Sequence, residues 1–437
     1  MSATQSMTTQ YYRFKPWNIG RIVIWTLFAL LLLLAPVLFR SGLALTMLSQ
    51  MGYLVIICLS YNILFGQGGM LSFGHAVYTG MGAFIAIHAM NLATQGSLPV
   101  PLVLIPLVGG LGGMFFAVLL GFVTTKKSGT TFAMITLGIG ELVASMALMF
   151  PGFFGGEGGV TTNRVYGTPF FGLSFGPQLQ VYYLIAAYCF VCTALMFAFT
   201  GTPLGRILNA VRDNPERVEF IGYNTQRVRY FAFIIAGFFA GIGGGLSAIN
   251  FEIVNASDSL SGLRSGGYLL FTFLGGAGFF FGPIIGAVLL VFASVMLSEL
   301  TKAWLLYLGL VFLFMVMFAP GGVASLVMMN LRVAKFGLFK PFWKLYAGLV
   351  ATGALVVVGA AALVEMVYHI QLNAALGPQV RFAGLVLDTG SAGSWLGAAA
   401  VALVGVVLLE WMRRRFAQAW GHAQEQIEAE IKRRATT

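Results

Sequence analysis

Glu141 is the ionisable residue that lies most clearly in the middle of an apolar stretch, within the run Leu137-Gly-Ile-Gly-Glu141-Leu142. A charge surrounded by hydrocarbon is costly, so this carboxylate must face protein or water. Two interpretations stay open. The residue lines a pathway or carries a proton, or it is a structural carboxyl whose hydrogen bonds tie helices together. His75 leaves the same two interpretations open, and His88 is placed nearer the membrane interface.

The remaining residue patterns do not assemble a catalytic centre. Residues 121–128 resemble a phosphate-binding loop, but Lys126 stands where the second glycine is required, so backbone amides could not wrap a phosphate. Cys189 and Cys192 have a C-x-x-C spacing without a second pair or a nearby histidine, which favours simple packing. The four histidines are scattered along the chain. We therefore expect no catalytic residue, no metal ion and no cofactor bound by this chain.

Composition places these residues in a membrane. Of the 437 residues, 58% are hydrophobic and only 9% are charged, whereas ordinary soluble domains are roughly 25% charged. Mean hydropathy is +0.88. These values exclude a soluble enzyme, a disordered regulator and a nucleic-acid-binding protein, and they predict an all-α polytopic membrane protein.

Apolar runs of sufficient length predict twelve membrane segments, about ten in a core and two in a C-terminal extension. One of them, 262–276, is short, and the glycine-rich turn 275–278 follows it. The predicted segments are 22–38, 43–65, 71–90, 100–123, 131–150, 180–200, 230–250, 262–276, 283–300, 303–319, 345–369 and 394–412.

The basic residues predict the topology. With the N-terminus inside, 20 of the 25 Lys and Arg residues fall in inside segments, which is a strong positive-inside signal. Because the basic loops 203–230 and 320–344 are then both inside, segment 262–276 must cross or nearly cross the membrane. It is either part of a transport path or an ordinary short helix buried by its neighbours. The five basic residues left outside are Arg40, Arg164, Arg264, Lys302 and Arg381.

Both termini are therefore predicted to be cytoplasmic, and the N-terminal apolar run is interpreted as an uncleaved first helix. The predicted organisation is an N-terminal segment 1–21, a transmembrane domain 22–330, an additional transmembrane hairpin 331–412 and a cytoplasmic tail 413–437.

Glycine-rich stretches indicate where helices break or pack closely. The stretch 66–75 joins two apolar runs, and its polar residues Gln67, Ser72 and His75 favour an interrupted helix beside a cavity. Two glycine series with a spacing of four predict faces for close helix packing. These are Gly237, Gly241 and Gly245, and Gly278, Gly282 and Gly286.

The inside stretch 202–230 predicts two short surface helices. Thr202 can cap a helix that starts with Pro203, and Asn214 can cap a second one that starts with Pro215. A plain connector could be much shorter. The mixed charge of this stretch indicates a docking surface for a soluble partner, and the alternative is a helix pair lying on the membrane.

Several runs in this chain resemble LivM-type permeases, the membrane subunits of ABC importers for branched-chain amino acids and related solutes. The resemblance covers roughly residues 22–330, and the motifs occur in the same order. They are Tyr61-Asn-Ile-Leu-Phe-Gly66-Gln-Gly-Gly69-Met-Leu-Ser72-Phe-Gly74-His75-Ala76, Gly205-Arg206-x-x-x-Ala210-x-Arg212-Asp213-Asn214, Ile221-Gly222, Phe238-Phe-Ala240-Gly241, and Gly275-Gly-Ala-Gly278 with Gly282-Pro283.

The resemblance implies a second permease subunit, two ATPase subunits that bind ATP and Mg²⁺, and a periplasmic solute-binding protein, in a bacterial inner membrane. It implies that the glycine-rich loop 155–160 meets the binding protein or the substrate, and that 204–222 is the segment that couples to the ATPase. The expected pathway residues are Gln67, Ser72, His75 and Glu141. The expected coupling residues are Leu204, Gly205, Arg206, Ala210, Arg212, Asp213, Asn214, Glu216 and Gly222.

Three functions are weighed: an ABC import permease, a secondary transporter driven by an ion gradient with Glu141 as carrier, and a purely structural membrane subunit. The charged inside loop and the single mid-span carboxylate favour the first. The substrate stays open among branched-chain amino acids, urea, short amides and aromatic acids. The extension from Lys344 onward departs from typical members. Its outside loop 370–393 could contact a binding protein, and its tail an ATPase or anionic lipid.

Overall fold

The computed structural model describes residues 19–97, 99–166, 174–301, 303–338, 342–372, 377–382 and 385–436. The chain divides into two compact units, one ending at Val291 and the other beginning at Phe292. Residues 1–18 of the predicted N-terminal segment, and the topology residues Lys302 and Lys340, lie outside the described residues. The predicted domain boundaries at residues 330 and 412 stay predictions.

The first unit is helical apart from one short pair of strands. Strand β1 (Val160–Thr161) pairs antiparallel with β2 (Ile253–Val254), with Val160 opposite Val254. The helices are α1 (Ile19–Leu38), α2 (Gly42–Asn62), α3 (His75–Thr94), α4 (Ile105–Thr124), α5 (Gly129–Met149), α6 (Pro151–Phe154), α7 (Gln178–Gly201), α8 (Pro203–Asp213), α9 (Pro215–Phe220), α10 (Thr225–Phe251), α11 (Ala256–Ser259), α12 (Gly262–Gly275) and α13 (Gly282–Val291).

Helices α3 and α10 are the most buried of the long apolar helices in the described chain. Each is apolar around most of its circumference, as expected of a helix that is enclosed by other helices rather than lying at a surface. Helices α2, α3 and α4 all pack against α10. The centre of this unit is therefore α10, surrounded by α2, α3 and α4.

Glycines allow the backbones of α4 and α10 to touch. A Cβ atom on Gly241 would lie 3.0 Å from the Cα of Gly113, and one on Gly109 would lie 2.9 Å from the Gly241 carbonyl oxygen. A Cβ on Gly237 would meet the side chain of Ala117. The prediction of a close-packing face at Gly237, Gly241 and Gly245 is therefore confirmed.

The second predicted glycine face is only partly correct. Gly282 lies against the backbone of Gly276, in the turn after α12. Gly286 lies against the backbone of Phe271, within α12. Gly278 has no neighbour within 4 Å, so it takes no part in packing. It lies in the turn between α12 and α13, where Gly276 adopts a φ of +112° that a side chain would disfavour. The turn, rather than a helix face, explains this glycine.

The second unit contains helices and one β-hairpin. Strand β3 (Gln379–Phe382) pairs antiparallel with β4 (Leu385–Asp388). A π-helical stretch, Phe292–Leu297, opens the unit. The helices are α14 (Ser298–Leu300), α15 (Trp304–Phe318), α16 (Gly322–Lys335), α17 (Phe342–Leu372) and α18 (Ala392–Thr436).

Two apolar clusters hold α17 and α18 together, one near each end of α17. The first cluster is formed by Val333, Phe342, Ala423 and Ile427, with Phe416 and Trp420 packed against it. The second is formed by Ala362, Met366 and Ala398, with Trp395 packed against it. Between them, Gly359 and Gly405 let the two backbones approach closely.

Nine of the twelve predicted segments are helices long and apolar enough to cross a membrane, counted over the described residues. The protein is thus all-α and passes the membrane several times, as predicted. The other three segments, 262–276, 283–300 and 303–319, contain the shorter helices α12, α13 and α15. Helices α15 and α16 pass the length test only as a pair bent by 48°. That 262–276 crosses the membrane stays a prediction.

Helix extends further than the apolar runs in the second unit. The predicted inside loop 320–344 contains α16, and the predicted tail 413–437 continues α18 without a break up to Thr436. After the apolar run of α18, ion pairs one helical turn apart support the helix, from Arg413 and Arg414 to Glu410 and from Arg433 to Glu430. The predicted helix ends were placed where the apolar runs stop. The observed helix ends depend instead on helix propensity and on these ion pairs.

We predict that Gly241→Ala destabilises the protein by about 1–3 kcal/mol, because the new methyl group must push α4 away from α10. The measurement is the thermal unfolding midpoint of the protein in detergent. Gly266→Ala on α12 is the matched control, since an added Cβ there meets nothing within 4 Å. Equal midpoints for the two variants would contradict the packing argument.

Candidate functional site

The helix that starts as α2 breaks in the middle of the unit. It ends in a π-helical turn, Ile63–Gln67, and α3 begins only at His75. The chain between them is extended or turned, with Gly69 at a φ of +64°. A Cβ on Gly66 would collide with Asn62 and with the carbonyl of Ala277. The predicted break at 66–75 is therefore present as an irregular connection between two helices that are each long enough to cross a membrane, and its glycines are required by close contacts.

The side chain of His75 is fully buried within this break. Its Nε2 atom lies 2.9 Å from the Ser60 hydroxyl oxygen, and that hydroxyl donates to the carbonyl of Ile57. The imidazole therefore donates through Nε2, and Nδ1 is an acceptor with no partner among the described residues. The rings of Tyr61 and Tyr78 pack edge-on against the imidazole. In this conformation His75 is enclosed by protein rather than exposed to a channel.

The rest of the break is held by hydrogen bonds from three different helices, α2, α5 and α12. The Tyr61 hydroxyl donates to the Ser72 carbonyl over 3.0 Å, and the backbone N–H of Phe73 donates to the Thr136 hydroxyl on α5. The backbone N–H of Ala76 donates to the Ser265 hydroxyl on α12. The Ser72 hydroxyl is itself fully buried and has no partner in the described part of the chain.

Glu141 lies on a different surface from this network. It belongs to an exposed stripe of α5, whose other large members are Met134, Leu137, Leu142 and Leu148. A Cβ added to Gly262, the first residue of α12, would lie 2.9 Å from its Oε1 atom. Ser72 and His75 both contact Tyr61, whereas Gln67 is bonded to Asn209 of α8 and Glu141 is exposed on α5.

The predicted surface helices of the inside loop are present as α8 and α9. The Thr202 hydroxyl accepts from the backbone N–H of Gly205, and the Asn214 side chain accepts from that of Arg217. Gly222 ends the segment at a φ of +92°, and Asn224 caps α10. Both predicted caps and both proline starts are confirmed.

Helix α8 is tied directly to the end of the broken helix. The Asn209 side-chain amide donates to Gln67 Oε1 over 2.7 Å, and Arg212 Nη1 donates to the carbonyl oxygen of Gly66 over 2.5 Å. The buried side chain of Leu208 packs beside Gly68. The guanidinium of Arg212 therefore satisfies a backbone carbonyl that the irregular end of the helix leaves free. Asn209 was missed by the sequence interpretation, because only its tertiary partner gives it a role.

The outer surface of α8 and α9 is charged, and the turn after α9 is apolar. The predicted coupling residues Arg206, Ala210, Arg212, Asp213 and Glu216 are exposed on it, as is Gly222 in the turn. Leu204 and Asn214 are half-buried, and Gly205 is buried against the carbonyl of Phe199.

Phe220 and Ile221, with exposed fractions of 89% and 70%, stand at the end of α9 next to the exposed ring of Tyr223. A contiguous apolar patch of this kind on a charged surface marks a place of interaction. The sequence analysis did not identify this patch. The signal for it was the presence of three apolar residues, Phe220, Ile221 and Tyr223, within a charged loop.

A second polar network, also missed from the sequence, fixes the opposite side of the unit. The Arg164 guanidinium donates to the Gly176 carbonyl over 2.9 Å. The backbone N–H of Arg164 donates to the Glu252 carboxylate over 2.8 Å. Gln178 donates to the side chain of Asn250 over 2.8 Å. The β1–β2 pair and the close approach of Gly159 to Val254 and Asn255 fix the end of the glycine-rich loop 155–160.

No three metal-ligating side chains converge anywhere in the described ranges. Cys189 and Cys192 are buried thiols on α7. The tertiary arrangement is that of a membrane-embedded helical unit with a broken helix at its centre, tied to a pair of short helices on the side that the basic residues predict to be cytoplasmic.

Residues 43–320 match the family described as "branched-chain amino acid transport system / permease component", and the chain belongs to this family of membrane permeases. The chain is similar over 303 residues to the high-affinity branched-chain amino acid transport system permease proteins LivM of Escherichia coli (strain K12), at 27% identity, and of Salmonella typhimurium (strain LT2), at 26% identity. Each match covers 64% of this chain and 69% of the relative. No solved structure matches the chain.

We predict that the Gln67–Asn209 hydrogen bond couples the broken helix to α8 energetically. Gln67→Leu and Asn209→Leu should each lower the free energy of unfolding by about 1 kcal/mol, because each leaves a half-buried partner without its hydrogen bond. The double variant should lose clearly less than the two single losses together, as measured by thermal unfolding in detergent.

The matched control pairs Gln67→Leu with Asn91→Leu, whose side chain donates instead to the Thr161 carbonyl. This second pair should be additive, since the two residues share no partner. Additivity in both pairs would show that the contact between α8 and the broken helix carries no energy.

Proposed function

We propose that this protein is the transmembrane permease subunit of an ABC importer in a bacterial inner membrane, and that it forms half of a translocation pathway. The energy would come from ATP and Mg²⁺ bound in separate ATPase subunits, and the chain itself would catalyse no reaction. The observation that carries the proposal is the structured α8–α9 segment, which ends in an exposed apolar patch and is hydrogen-bonded to the broken helix. Membership of a permease family supports it.

The α8–α9 segment is suited to receive an ATPase subunit. Its exposed face offers charged groups of both signs around the apolar pair Phe220 and Ile221. Buried apolar anchors surrounded by a polar rim are the usual composition of a protein interface. A stable contact here would turn the closing of two ATPase subunits into a displacement of α8.

The displacement of α8 would reach the junction between α2 and α3 through two hydrogen bonds. Asn209 holds Gln67, and Arg212 holds the carbonyl of Gly66, so α8 cannot shift without moving the end of the π-helical turn or breaking these bonds. The irregular segment from Gly68 to Gly74 is held by single hydrogen bonds to α2 and α5 rather than by a continuous helical ladder, so it can follow such a shift. Switching between outward-open and inward-open conformations would then start at the broken helix.

The exposed stripe of α5 is the wall we assign to the pathway. A carboxylate at mid-membrane depth is not stable against lipid, so the face that carries Glu141 must meet water or another protein subunit. A second permease subunit placed against α5 would satisfy both conditions, by enclosing a polar path between the two chains. Gln67 would line the same path near α8, whereas the enclosed Ser72 and His75 would hold its wall from behind.

The substrate class we propose is branched-chain amino acids or a related small solute. The two relatives are named as permeases of branched-chain amino acid transport, and that specificity extends to this chain only as a proposal. A periplasmic binding protein would deliver the solute to the outer side, where the fixed turn 155–160 offers a preformed contact.

The first test is to purify the tagged chain gently from its native membrane and to identify its partners. Two ATPase subunits and a second permease in stoichiometric amounts are the expected result. A chain that purifies alone and transports a solute under a proton or sodium gradient would overturn the proposal in favour of a secondary transporter.

We predict that Phe220→Asp abolishes the association with the ATPase, because a charge replaces an apolar anchor. The loss should be about 2 kcal/mol or more, which is roughly a thirty-fold weaker interaction, measured by co-purification against a titrated ATPase. Phe220→Leu keeps an apolar side chain and should bind nearly normally. If Phe220→Asp retains the ATPase but no longer associates with lipid, the patch lies on the membrane instead.

We predict that Glu141→Leu lowers solute uptake at least roughly ten-fold while the ATPase still co-purifies, because a polar group is removed from the pathway wall. Glu141→Gln, which keeps the shape and most hydrogen-bonding capacity, should fall between Glu141→Leu and the unaltered protein. The measurement is uptake of radiolabelled solute into vesicles that contain the complete complex. Normal uptake by Glu141→Leu would place this residue outside the pathway.

A further inference from the structure

A basic pocket of about 760 Å³ lies between the loop that joins α4 to α5 and the turn that joins α9 to α10. From the first loop it is lined by Lys126, Lys127 and Ser128. From the other side it is lined by the residues that open α10, including Thr225 and Gln226, and by Arg229 one turn further along. The pocket is also lined by Glu219, Gly222, Tyr223 and Asn224, so it adjoins the end of the coupling segment.

The side chain that defines the pocket is Arg229. It is only 8% exposed, no hydrogen bond or ion pair to it is found among the described residues, and the Glu219 carboxylate attracts it electrostatically. The one acidic group on the pocket wall, Glu219, is engaged by the Thr225 hydroxyl at 2.7 Å. Glu219 therefore offsets only part of the charge of Arg229, Lys126 and Lys127. The remaining positive charge around the cavity favours an anion as its occupant.

Two helix N-termini add to the positive potential of the pocket. The first N–H groups of α10, at Thr225 and Gln226, have no acceptor within their own helix, as at any helix start. Ser128 precedes α5, and its side chain makes no capping bond there. Both helices are long, so the positive ends of two helix dipoles and three basic side chains meet around one cavity.

The surroundings of the pocket identify the source of the anion. Lys126 Nζ lies 4.8 Å from the centre of the Phe122 ring. Phe122, near the end of α4, and Phe231, near the start of α10, are both exposed. Tyr230 packs against both rings. Such an aromatic group at the end of spanning helices marks the level of the lipid headgroups. Basic pockets between helix ends on this side of a membrane are suited to anionic headgroups.

We propose that this pocket binds the phosphate group of an anionic phospholipid of the inner leaflet, with Arg229, Lys126 and Lys127 as its basic partners. The bound headgroup would bridge the α4–α5 loop and the turn after α9, and so would set how freely the coupling segment moves. Binding itself does not depend on the proposed ATPase, so the two ideas can fail separately.

The experiment counts lipids bound to the purified protein, with its native partner subunits, by native mass spectrometry during titration with phosphatidylglycerol. Arg229→Gln should weaken the tightest-bound lipid roughly ten-fold, the effect expected for one charge-assisted hydrogen bond. Lys127→Gln changes an exposed residue that cannot disturb packing, and it should weaken the same lipid as well. Phosphatidylcholine should bind more weakly than phosphatidylglycerol and should show no difference between these variants.

Arg227→Gln is the matched control, because Arg227 is exposed in the same first turn of α10 but does not line the pocket. It should bind phosphatidylglycerol like the unaltered protein. Equal effects of Arg227→Gln and Arg229→Gln would show that general surface charge attracts the lipid, and this result would overturn the proposal. Displacement of the lipid by millimolar inorganic phosphate would assign the pocket to a soluble anion, and loss of the site only when the ATPase is present would assign it to a protein contact.

Discussion

The junction between α2 and α3 leaves backbone groups without partners in a helix, so other parts of the protein must supply those partners. Between Gly66 and Ala76 these partners come from α2, α5, α8 and α12, as the hydroxyls of Tyr61, Thr136 and Ser265 and the guanidinium of Arg212. The arrangement of the surrounding helices follows from this requirement, because each must bring one polar side chain to the same short segment. The break is thus the point at which most of the first unit is tied together.

The same requirement gives the surface helix α8 an unusual position. Arg212 belongs to a segment outside the apolar spans, yet it completes the hydrogen bonding of a backbone carbonyl at the end of one. A residue of this kind is neither purely structural nor purely a docking residue, since any force on α8 acts on the bond. Close contact of α4 with α10 through glycines makes the centre of the unit stiff by contrast. Motion is therefore expected where polar bonds, rather than packed backbones, connect the elements.

Local signals predicted much of this structure. The caps at Thr202 and Asn214 and the glycine face on α10 follow from residue type and spacing, and they were found as predicted. Tertiary relations were not predictable in the same way. The partner of Asn209 lies 142 positions away in the chain, and the exposure of Glu141 depends on which helices cover α5. The helix that continues α18 was missed because an apolar run marks where lipid ends, and a helix can continue beyond that point.

Helices α17 and α18 are joined near both ends, by the cluster around Phe342 and Ile427 and by the cluster around Met366 and Ala398. Helices joined in this way cannot tilt independently. When a single spanning helix meets a bilayer whose thickness does not match its apolar length, it adjusts its own angle. This pair must respond as one body, so the thickness of the surrounding bilayer would act on both helices at once and, through α18, on the long helical stretch that follows its apolar run.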